Sequence, residues 1–267
     1  MKTMINSVLK SGALAIGLMS ASSFASDSIQ GTYKAVLRHE ATGFYQYALF
    51  TLSTVQAGGG TLKISANVRI VYGDWDSNEF LTYDFSDVPM NILTRQISMR
   101  DPVNDVSFVG QLGDGEMKGD WYSSSVGRVG SFQALKNADP VPPANMQLVR
   151  SVTGHYQGKY KNTNPQANLP EKMALSLVTT QEIATGRPVL VISGNLRLYL
   201  GSFDSLEYYE TPLKDVQFNF YNRYLTVKTQ EYGLTLKGIL SLDGIFVADV
   251  FADGLGKVGT VQLKVVP

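Results

Sequence analysis

A short acidic segment offers the most specific metal chemistry in this sequence. Asp74, Asp76, Asn78 and Glu79 supply oxygen ligands at closely spaced positions, and calcium is bound by several such oxygens from one tight turn. The segment lacks the Gly at the sixth position and the distant bidentate Glu of an EF-hand loop. A later copy of the segment also lacks two of the four ligands. A calcium site is therefore a secondary hypothesis for these residues.

Familiar catalytic residues are few. The chain has two histidines, His39 and His155, and no cysteine, so it offers no disulfide, no thiolate nucleophile and no cysteine-based metal site. It carries no nucleophile-elbow, zinc-protease, phosphate-loop or dinucleotide motif. We predict no catalytic residue and no cofactor. A pair of carboxylates alone can hydrolyse glycosides, so a carboxylate-dependent hydrolase remains an alternative function.

Aromatic and arginine side chains are the candidates for ligand binding. Exposed Tyr and Trp suit sugars, peptides and protein surfaces, because they are amphipathic and lose little entropy on binding. The predicted binding residues are Trp75, Phe203, Tyr208, Tyr209, Arg69 and Arg197. Tyr208 and Tyr209 are adjacent, so on a strand they point to opposite faces and one of them is expected to be exposed.

The same pattern of residues occurs twice in the chain, 128 residues apart. Residues 64–70 (ISANVRI) return as residues 192–198 (ISGNLRL), and residues 73–80 (GDWDSNEF) return as residues 201–208 (GSFDSLEY). Later matches continue at offsets of 128 and then 129. Since the offset changes so little, the sequence indicates a tandem pair of like domains.

The residues retained in both copies admit two interpretations. One is a pair of equivalent binding sites on the polar face of a strand. The other is a turn brace, in which Gly supplies an unusual backbone angle, Asp and Ser cap the turn, and Arg pairs with Glu across the hairpin. We favour the brace, because retention after duplication favours what the fold requires. The brace comprises Asn67, Gly73, Asp76, Ser77, Asn195, Gly201, Asp204, Ser205 and Glu207, with Arg69, Arg197 and Glu79.

Strands must position these residues. Ile64, Ala66, Val68 and Ile70 alternate with polar residues, which is typical of a strand with one buried face. Asp-Gly pairs and clusters of Asn, Asp and Ser interrupt such runs at hairpin spacing. We predict an all-β protein of two tandem antiparallel meander domains with about eight strands each. Each domain is expected to form a small up-and-down barrel, with a twisted β-sandwich as the alternative.

The strand spacing resembles the small barrels of the lipocalin and avidin type. Each unit opens with Gly-x-aromatic, as Gly31-Thr32-Tyr33 and Gly154-His155-Tyr156, and closes with a Gly-rich hairpin. The resemblance is one of architecture. The chain carries no diagnostic ligand motif of either family, and Tyr33 and Tyr156 stand where a lipocalin usually has Trp.

The first 25 residues are predicted to be a signal peptide. Lys2 and Lys10 precede an uncharged stretch at 11–22, and Ser23 and Ala25 place small residues at −3 and −1 of a cleavage site. Domain 1 is then predicted at 26–136, a Pro-rich linker at 137–151 and domain 2 at 152–267. The expected location is the periplasm or the exterior of a bacterial cell.

Composition limits the partners. The chain has 23 Lys and Arg against 23 Asp and Glu, and loss of Lys2 and Lys10 leaves it slightly acidic. It therefore lacks the basic surface of a nucleic-acid binder, and no segment after the signal peptide approaches the roughly 20 apolar residues of a transmembrane helix.

We predict an exported, non-enzymatic binding protein that recognises a protein, a peptide or an envelope polysaccharide. A small-molecule carrier with an apolar cavity in each barrel is the alternative. An open apolar cavity would favour the carrier, whereas a packed interior with an exposed aromatic patch would favour the interaction protein.

Overall fold

The computed structural model describes residues 29–57, 61–91, 93–184, 187–220 and 222–267. The predicted signal peptide lies outside the described residues. Within these ranges the chain forms eighteen strands, and no helix there has the length and apolar character needed to cross a bilayer. The predicted all-β class with two tandem barrels is confirmed.

The first ten strands form one antiparallel sheet with a short parallel addition. They are β1 (Gly31–His39), β2 (Phe44–Ala57), β3 (Thr61–Val71), β4 (Phe80–Val88), β5 (Met90–Asn91), β6 (Gln96–Asp101), β7 (Val106–Leu112), β8 (Glu116–Ser123), β9 (Gly127–Leu135) and β10 (Gln147–Leu148). Their order is β4-β3-β2-β1-β9-β8-β7-β6-β5, and β10 pairs in parallel with β2. The last strand, β10, lies inside the predicted linker.

A kink nearly closes this sheet into a barrel. Asp87 adopts a left-handed φ of 51°, and Pro89 follows it between β4 and β5, so the chain leaves β3 and turns towards β6. The Pro89 carbonyl oxygen accepts a hydrogen bond from the Ser98 amide at 3.2 Å. Pro89 itself can donate no backbone hydrogen bond, which suits it to this bend.

Aromatic side chains fill the interior of the first unit. Phe50 packs edge-on against Phe108, with ring centroids 5.1 Å apart, and stacks on Phe132 at 5.3 Å. Tyr33 is fully buried, and its hydroxyl donates to the Ile29 carbonyl oxygen at 2.9 Å. The strand alternation predicted from the sequence therefore directs one side-chain set into a packed core.

The remaining eight strands close a complete barrel. They are β11 (Gly154–Asn162), β12 (Lys172–Ala184), β13 (Arg187–Tyr199), β14 (Tyr208–Phe218), β15 (Tyr224–Thr229), β16 (Leu234–Leu240), β17 (Ile245–Ala252) and β18 (Gly256–Val266). Each pairs with the next, and β18 pairs back with β11 from His155↔Val266 to Asn162↔Gly259. The interior is mostly aliphatic, with Val227 and Leu236 fully buried, and Phe246 is buried among them.

The chain divides into two compact units that do not coincide with the two repeats. Of the described residues up to Leu148, all belong to the first unit except the segment Tyr72–Glu79, which belongs to the second unit. Within the second unit, the Gly73 amide donates to the Val149 carbonyl oxygen at 3.0 Å. The rings of Tyr72 and Phe220 lie 4.7 Å apart. The second unit therefore consists of its own barrel and one turn of the first repeat.

Candidate functional site

Serine hydroxyls hold the two repeated turns. Ser77 Oγ donates to the Tyr72 carbonyl oxygen at 2.7 Å and accepts from the Glu79 amide at 3.1 Å. Ser205 Oγ accepts from the Glu207 amide at 3.0 Å in the second copy. The two serines therefore make the same side-chain to backbone bond, as the brace interpretation expects.

The glycines and aspartates of the turns are less alike. Gly73 has a φ of +107°, in the range that favours glycine, whereas Gly201 lies outside the left-handed region. Asp76 and Asp204 are both exposed. The capping predicted for Asp and Ser together is thus carried out by the serines.

Each retained arginine lies over an aromatic ring at the start of the next strand. Arg69 Cζ stands 3.5 Å from the centroid of Phe80, and Arg197 Cζ stands 4.7 Å from that of Tyr208. Phe80 and Tyr208 are equivalent positions at the offset of 128. The contact common to the two copies is therefore a cation–π contact.

The glutamate partner of Arg197 differs from the predicted one. Its Nε forms an ion pair with Glu210 Oε2 at 3.1 Å, and this hydrogen bond is the main reason that the pKa of Arg197 is raised. The prediction named Glu207, which lies in the turn before β14, whereas Glu210 is the direct cross-strand neighbour of Arg197. The partner of Arg197 is determined by the register of β13 against β14, which the sequence repeat does not reveal. The first unit has Thr82 at the position of Glu210.

The retained asparagines also brace adjacent strands. Asn67 Nδ2 donates to Asp84 Oδ1 at 2.7 Å, and Asn195 Nδ2 donates to Glu210 Oε1 at 2.9 Å. Each asparagine reaches a carboxylate on the following strand, although the carboxylate occupies a different position in each unit. These contacts favour a structural role for the retained set.

The structure does not gather the predicted calcium ligands. Asp74, Asp76 and Asn78 are exposed, whereas Oε2 of Glu79 is buried. No three His, Asp or Glu side chains of the described ranges lie close enough to hold a metal ion. Glu79 turns inward while its neighbours face solvent, and the calcium hypothesis finds no support in this arrangement.

The predicted aromatic binding residues are mostly occupied by packing. Trp75 and Phe203 are half-buried, and the Phe203 ring lies 5.3 Å from that of Tyr199. Tyr208 is covered by Arg197. Tyr209 is the exception, since it is 49% exposed. Of the two adjacent tyrosines, Tyr209 is therefore the one that faces outward, as the sequence predicts.

The two histidines contact neutral side chains on neighbouring strands. Burial lowers the pKa of His39 to about 4, and its Nε2 lies 2.7 Å from Gln46 Oε1. His155 Nδ1 lies 2.7 Å from Ser176 Oγ on the neighbouring strand. Both rings are held by neutral groups in strand positions.

The most perturbed carboxylate of the described residues, that of Asp105, is a turn former. Asp105 accepts hydrogen bonds from the hydroxyl groups of Ser123, Ser124 and Ser125, and these bonds hold its pKa well below the ordinary value. A general acid for glycoside hydrolysis requires a raised pKa instead. Asp105 therefore ties two hairpin ends together and does not resemble a proton donor.

An exposed apolar row on the second barrel was not predicted. Tyr224, Ile239 and Val247 are direct cross-strand neighbours on β15, β16 and β17. They are 44%, 56% and 53% exposed, respectively. We call these three residues the apolar row.

The first unit has polar residues at the positions of the apolar row. Gln96, Gln111 and Lys118 are the equivalents, and they are likewise direct neighbours across β6, β7 and β8. The repeat alignment alone contains this difference, so comparing the two copies position by position would have found the row.

Comparison with known proteins adds little. No protein-family profile matches the chain, and no curated protein matches it. A solved structure of a protein of unknown function from the DUF3598 family of Nostoc punctiforme shares 7% identity with it, over 90% of this chain and 97% of that chain, at a TM-score of 0.25. A likeness at that TM-score carries no argument about fold or function.

Proposed function

We propose that this chain is an exported, non-enzymatic binding protein that contacts a protein partner through the apolar row of its second barrel. The observation that carries the proposal is the side-by-side exposure of Tyr224, Ile239 and Val247. Burial of these three neighbouring apolar side chains against a partner would provide favourable free energy that they do not gain in solvent. The equivalent Gln96, Gln111 and Lys118 mean that the barrel itself does not require apolar residues there.

The row has the composition of an interface anchor. A tyrosine with two β-branched aliphatic neighbours offers a rigid apolar surface that costs little side-chain entropy to order. Three residues cover only the centre of a standard interface, which buries about 800 Å² on each partner. The polar strand positions around the row would then form its rim.

Filled interiors disfavour the alternative of a small-molecule carrier. Large side chains such as Phe50 and Phe108 in the first unit, and Phe246 in the second, are fully buried. The hollows of about 420 and 430 Å³ in the first unit lie over the outer faces of β6, β7 and β8. A carrier requires an apolar cavity that encloses its ligand.

Export rests on the predicted signal peptide, with cleavage after Ala25. N-terminal sequencing of the protein from its own host tests this part of the proposal. A mature chain that begins at Ser26 supports export, and a chain that retains residues 1–25 in the cytoplasm contradicts it.

The first unit supplies the variant that tests the binding face. Tyr224→Gln, Ile239→Gln and Val247→Lys together convert the row to the residues found in the first unit. We expect the melting temperature to stay unchanged, because these side chains face solvent. We expect crosslinking of the exported chain to its partner in the native host to fall at least tenfold.

A second variant provides the control. Val178→Thr with Ile183→Thr changes two other exposed apolar residues on β12 and should leave crosslinking intact. Equal loss in both variants, or none in the row variant, would contradict the assignment of the binding face. Native mass spectrometry that finds a retained small molecule in the barrel would instead support the carrier.

A further inference from the structure

Arg223 is a buried charge at the edge of a surface hollow in the second unit. It directly precedes β15 and is only 7% exposed. The hollow has a volume of about 410 Å³, and its walls include Tyr72, Asp74, Arg150, Tyr156 and Asp243. Hollows of this size accommodate small ligands.

The guanidinium of Arg223 contacts no carboxylate among the described residues. Its Nε donates to the Leu240 carbonyl oxygen at 3.0 Å, and its Nη1 donates to the Arg150 carbonyl oxygen at 2.6 Å. In the described part of the chain it forms no ion pair. Burial lowers its pKa, the charge of Arg150 lowers it further, and Tyr156 opposes this effect. Its Cζ also lies 4.8 Å from the centroid of the Phe218 ring. The positive charge is therefore held in a desolvated position by carbonyl oxygens and a ring face, with no anion beside it, which is costly.

The equivalent arginine of the first unit is neutralised. Arg95 shares the left-handed backbone, with φ of 55° against 59° at Arg223. Its carbonyl oxygen accepts from the Leu112 amide at 2.9 Å, as that of Arg223 accepts from the Leu240 amide at 3.0 Å. Arg95 Nη1, however, forms an ion pair with Asp114 Oδ1 at 2.9 Å. The same turn therefore carries a paired arginine in one unit and an unpaired one in the other.

One additional residue explains the difference. In the first unit the Gly113 amide bonds to the Glu116 carbonyl oxygen, and the turn between them is Asp114-Gly115. In the second unit the Ser241 amide bonds to the Ile245 carbonyl oxygen, and three residues, 242–244, lie between them. This insertion is the step from an offset of 128 to 129. Asp243 accepts a hydrogen bond from Ser241 Oγ and does not reach Arg223.

We infer that the hollow beside Arg223 binds the carboxylate group of a small ligand. An incoming carboxylate would replace the ion pair that the longer turn removed, and a guanidinium matches the planar geometry of a carboxylate. Arg150 lies on the same hollow and adds a second positive charge. Three carboxylates, those of Asp74, Asp76 and Asp243, also line the hollow and repel polyanions, so a ligand with a single carboxylate that contacts Arg223 directly fits best. The site shares no residue with the apolar row.

A titration of the mature chain with matched probes tests this site. Backbone amide NMR signals of residues 223 and 240–244 are followed with propionate, with its uncharged isostere propionamide, and with inorganic phosphate at equal ionic strength. Propionate is expected to give saturable shifts, propionamide none, and phosphate weaker binding than propionate.

Three variants locate the charge that is responsible. Arg223→Gln and deletion of Leu242, which restores the short turn and returns Asp243 to the arginine, should each weaken propionate binding at least tenfold. Arg150→Gln changes an exposed side chain, leaves the fold intact, and should weaken binding severalfold. Arg95→Gln in the first unit is the matched control and should leave binding unchanged.

Binding that persists in the Leu242 deletion and in Arg150→Gln would overturn the inference. An equal response to propionamide, or phosphate binding tighter than propionate binding, would overturn the assignment of a carboxylate. If Arg223→Gln does not fold, the other two variants still decide the outcome.

Discussion

The buried imidazole of His39 shows how a single residue couples this fold to pH. Its ring is 2% exposed and packs edge-on against Trp121, with ring centroids 4.6 Å apart. Burial outweighs the hydrogen bond to Gln46 and lowers its pKa to about 4, from 6.5 in the unfolded chain. The folded state therefore binds fewer protons than the unfolded state between these two values.

Stability contributed by neutral His39 is expected to be complete above pH 6.5 and to be lost as the pH falls towards 4. The two pKa values correspond to a loss of about 3 kcal/mol. His39→Gln should remove this part of the pH dependence, as measured by urea unfolding at a series of pH values. His155→Gln leaves His39 in place and should preserve the slope. A slope unchanged in His39→Gln would contradict the prediction.

At the scale of elements, glycines at equivalent positions allow the closing strands to approach the first strands. A Cβ atom on Gly130 of β9 would overlap the Arg38 carbonyl oxygen of β1, and one on Gly259 of β18 would overlap the Lys161 carbonyl oxygen of β11. The Arg38 carbonyl also accepts from Trp121 Nε1 at 3.2 Å. The repeated glycines therefore serve barrel closure.

Gly130→Ala is expected to destabilise the first unit by about 1–3 kcal/mol, because the backbone of β1 must move to admit the methyl group. Chemical unfolding followed by Trp fluorescence measures the loss. Ser131→Ala, one position along β9, adds no Cβ atom and serves as the control. Equal stability of the two variants would show that the strand spacing is softer than the contact indicates.

Local patterns predicted the strands well, and pairing across strands explains what they missed. Alternation in β3 and the glycine-rich turns indicated hairpins, since both depend on neighbours in sequence. The Glu210 partner of Arg197 depends on register, and β10 depends on an edge of β2 far away in the chain. The apolar row is likewise spread over three strands. Of the candidate site, the serine bonds of the two repeated turns and the outward orientation of Tyr209 agreed with sequence reasoning.

At the scale of the whole molecule, the two repeats differ in their side-chain contacts at several equivalent positions. Asp105 accepts from Ser124 in the first unit, whereas the equivalents are Gly233 and Asp253 in the second. The carboxylate has thus moved to the opposite side of the same hairpin junction. Tyr72 packs within the second unit, whereas its equivalent Leu200 is 55% exposed. The two repeats therefore share the barrel architecture, whereas individual side chains at equivalent positions make different contacts.

Tyr72→Ala is expected to destabilise the second unit. Loss of the ring contact with Phe220 removes about 0.5–1.5 kcal/mol beyond the lost burial. Hydrogen exchange of the β15 and β16 amides should accelerate, whereas Leu200→Ala at the equivalent exposed position should leave these rates unchanged. Equal protection in Tyr72→Ala and the parent chain would show that the segment Tyr72–Glu79 adds nothing to this barrel.

The pairing of β11 with β18 places the two chain ends of the second barrel next to each other, with His155 opposite Val266. Because its first and last strands are paired, this barrel does not require the chain to begin at β11. Joining those ends and opening another hairpin should give a circular permutant that folds. The ends of the first unit are also adjacent, because β1 pairs with β9. When the ends of a unit are adjacent, its gene segment can be duplicated in tandem without disrupting the fold of either copy.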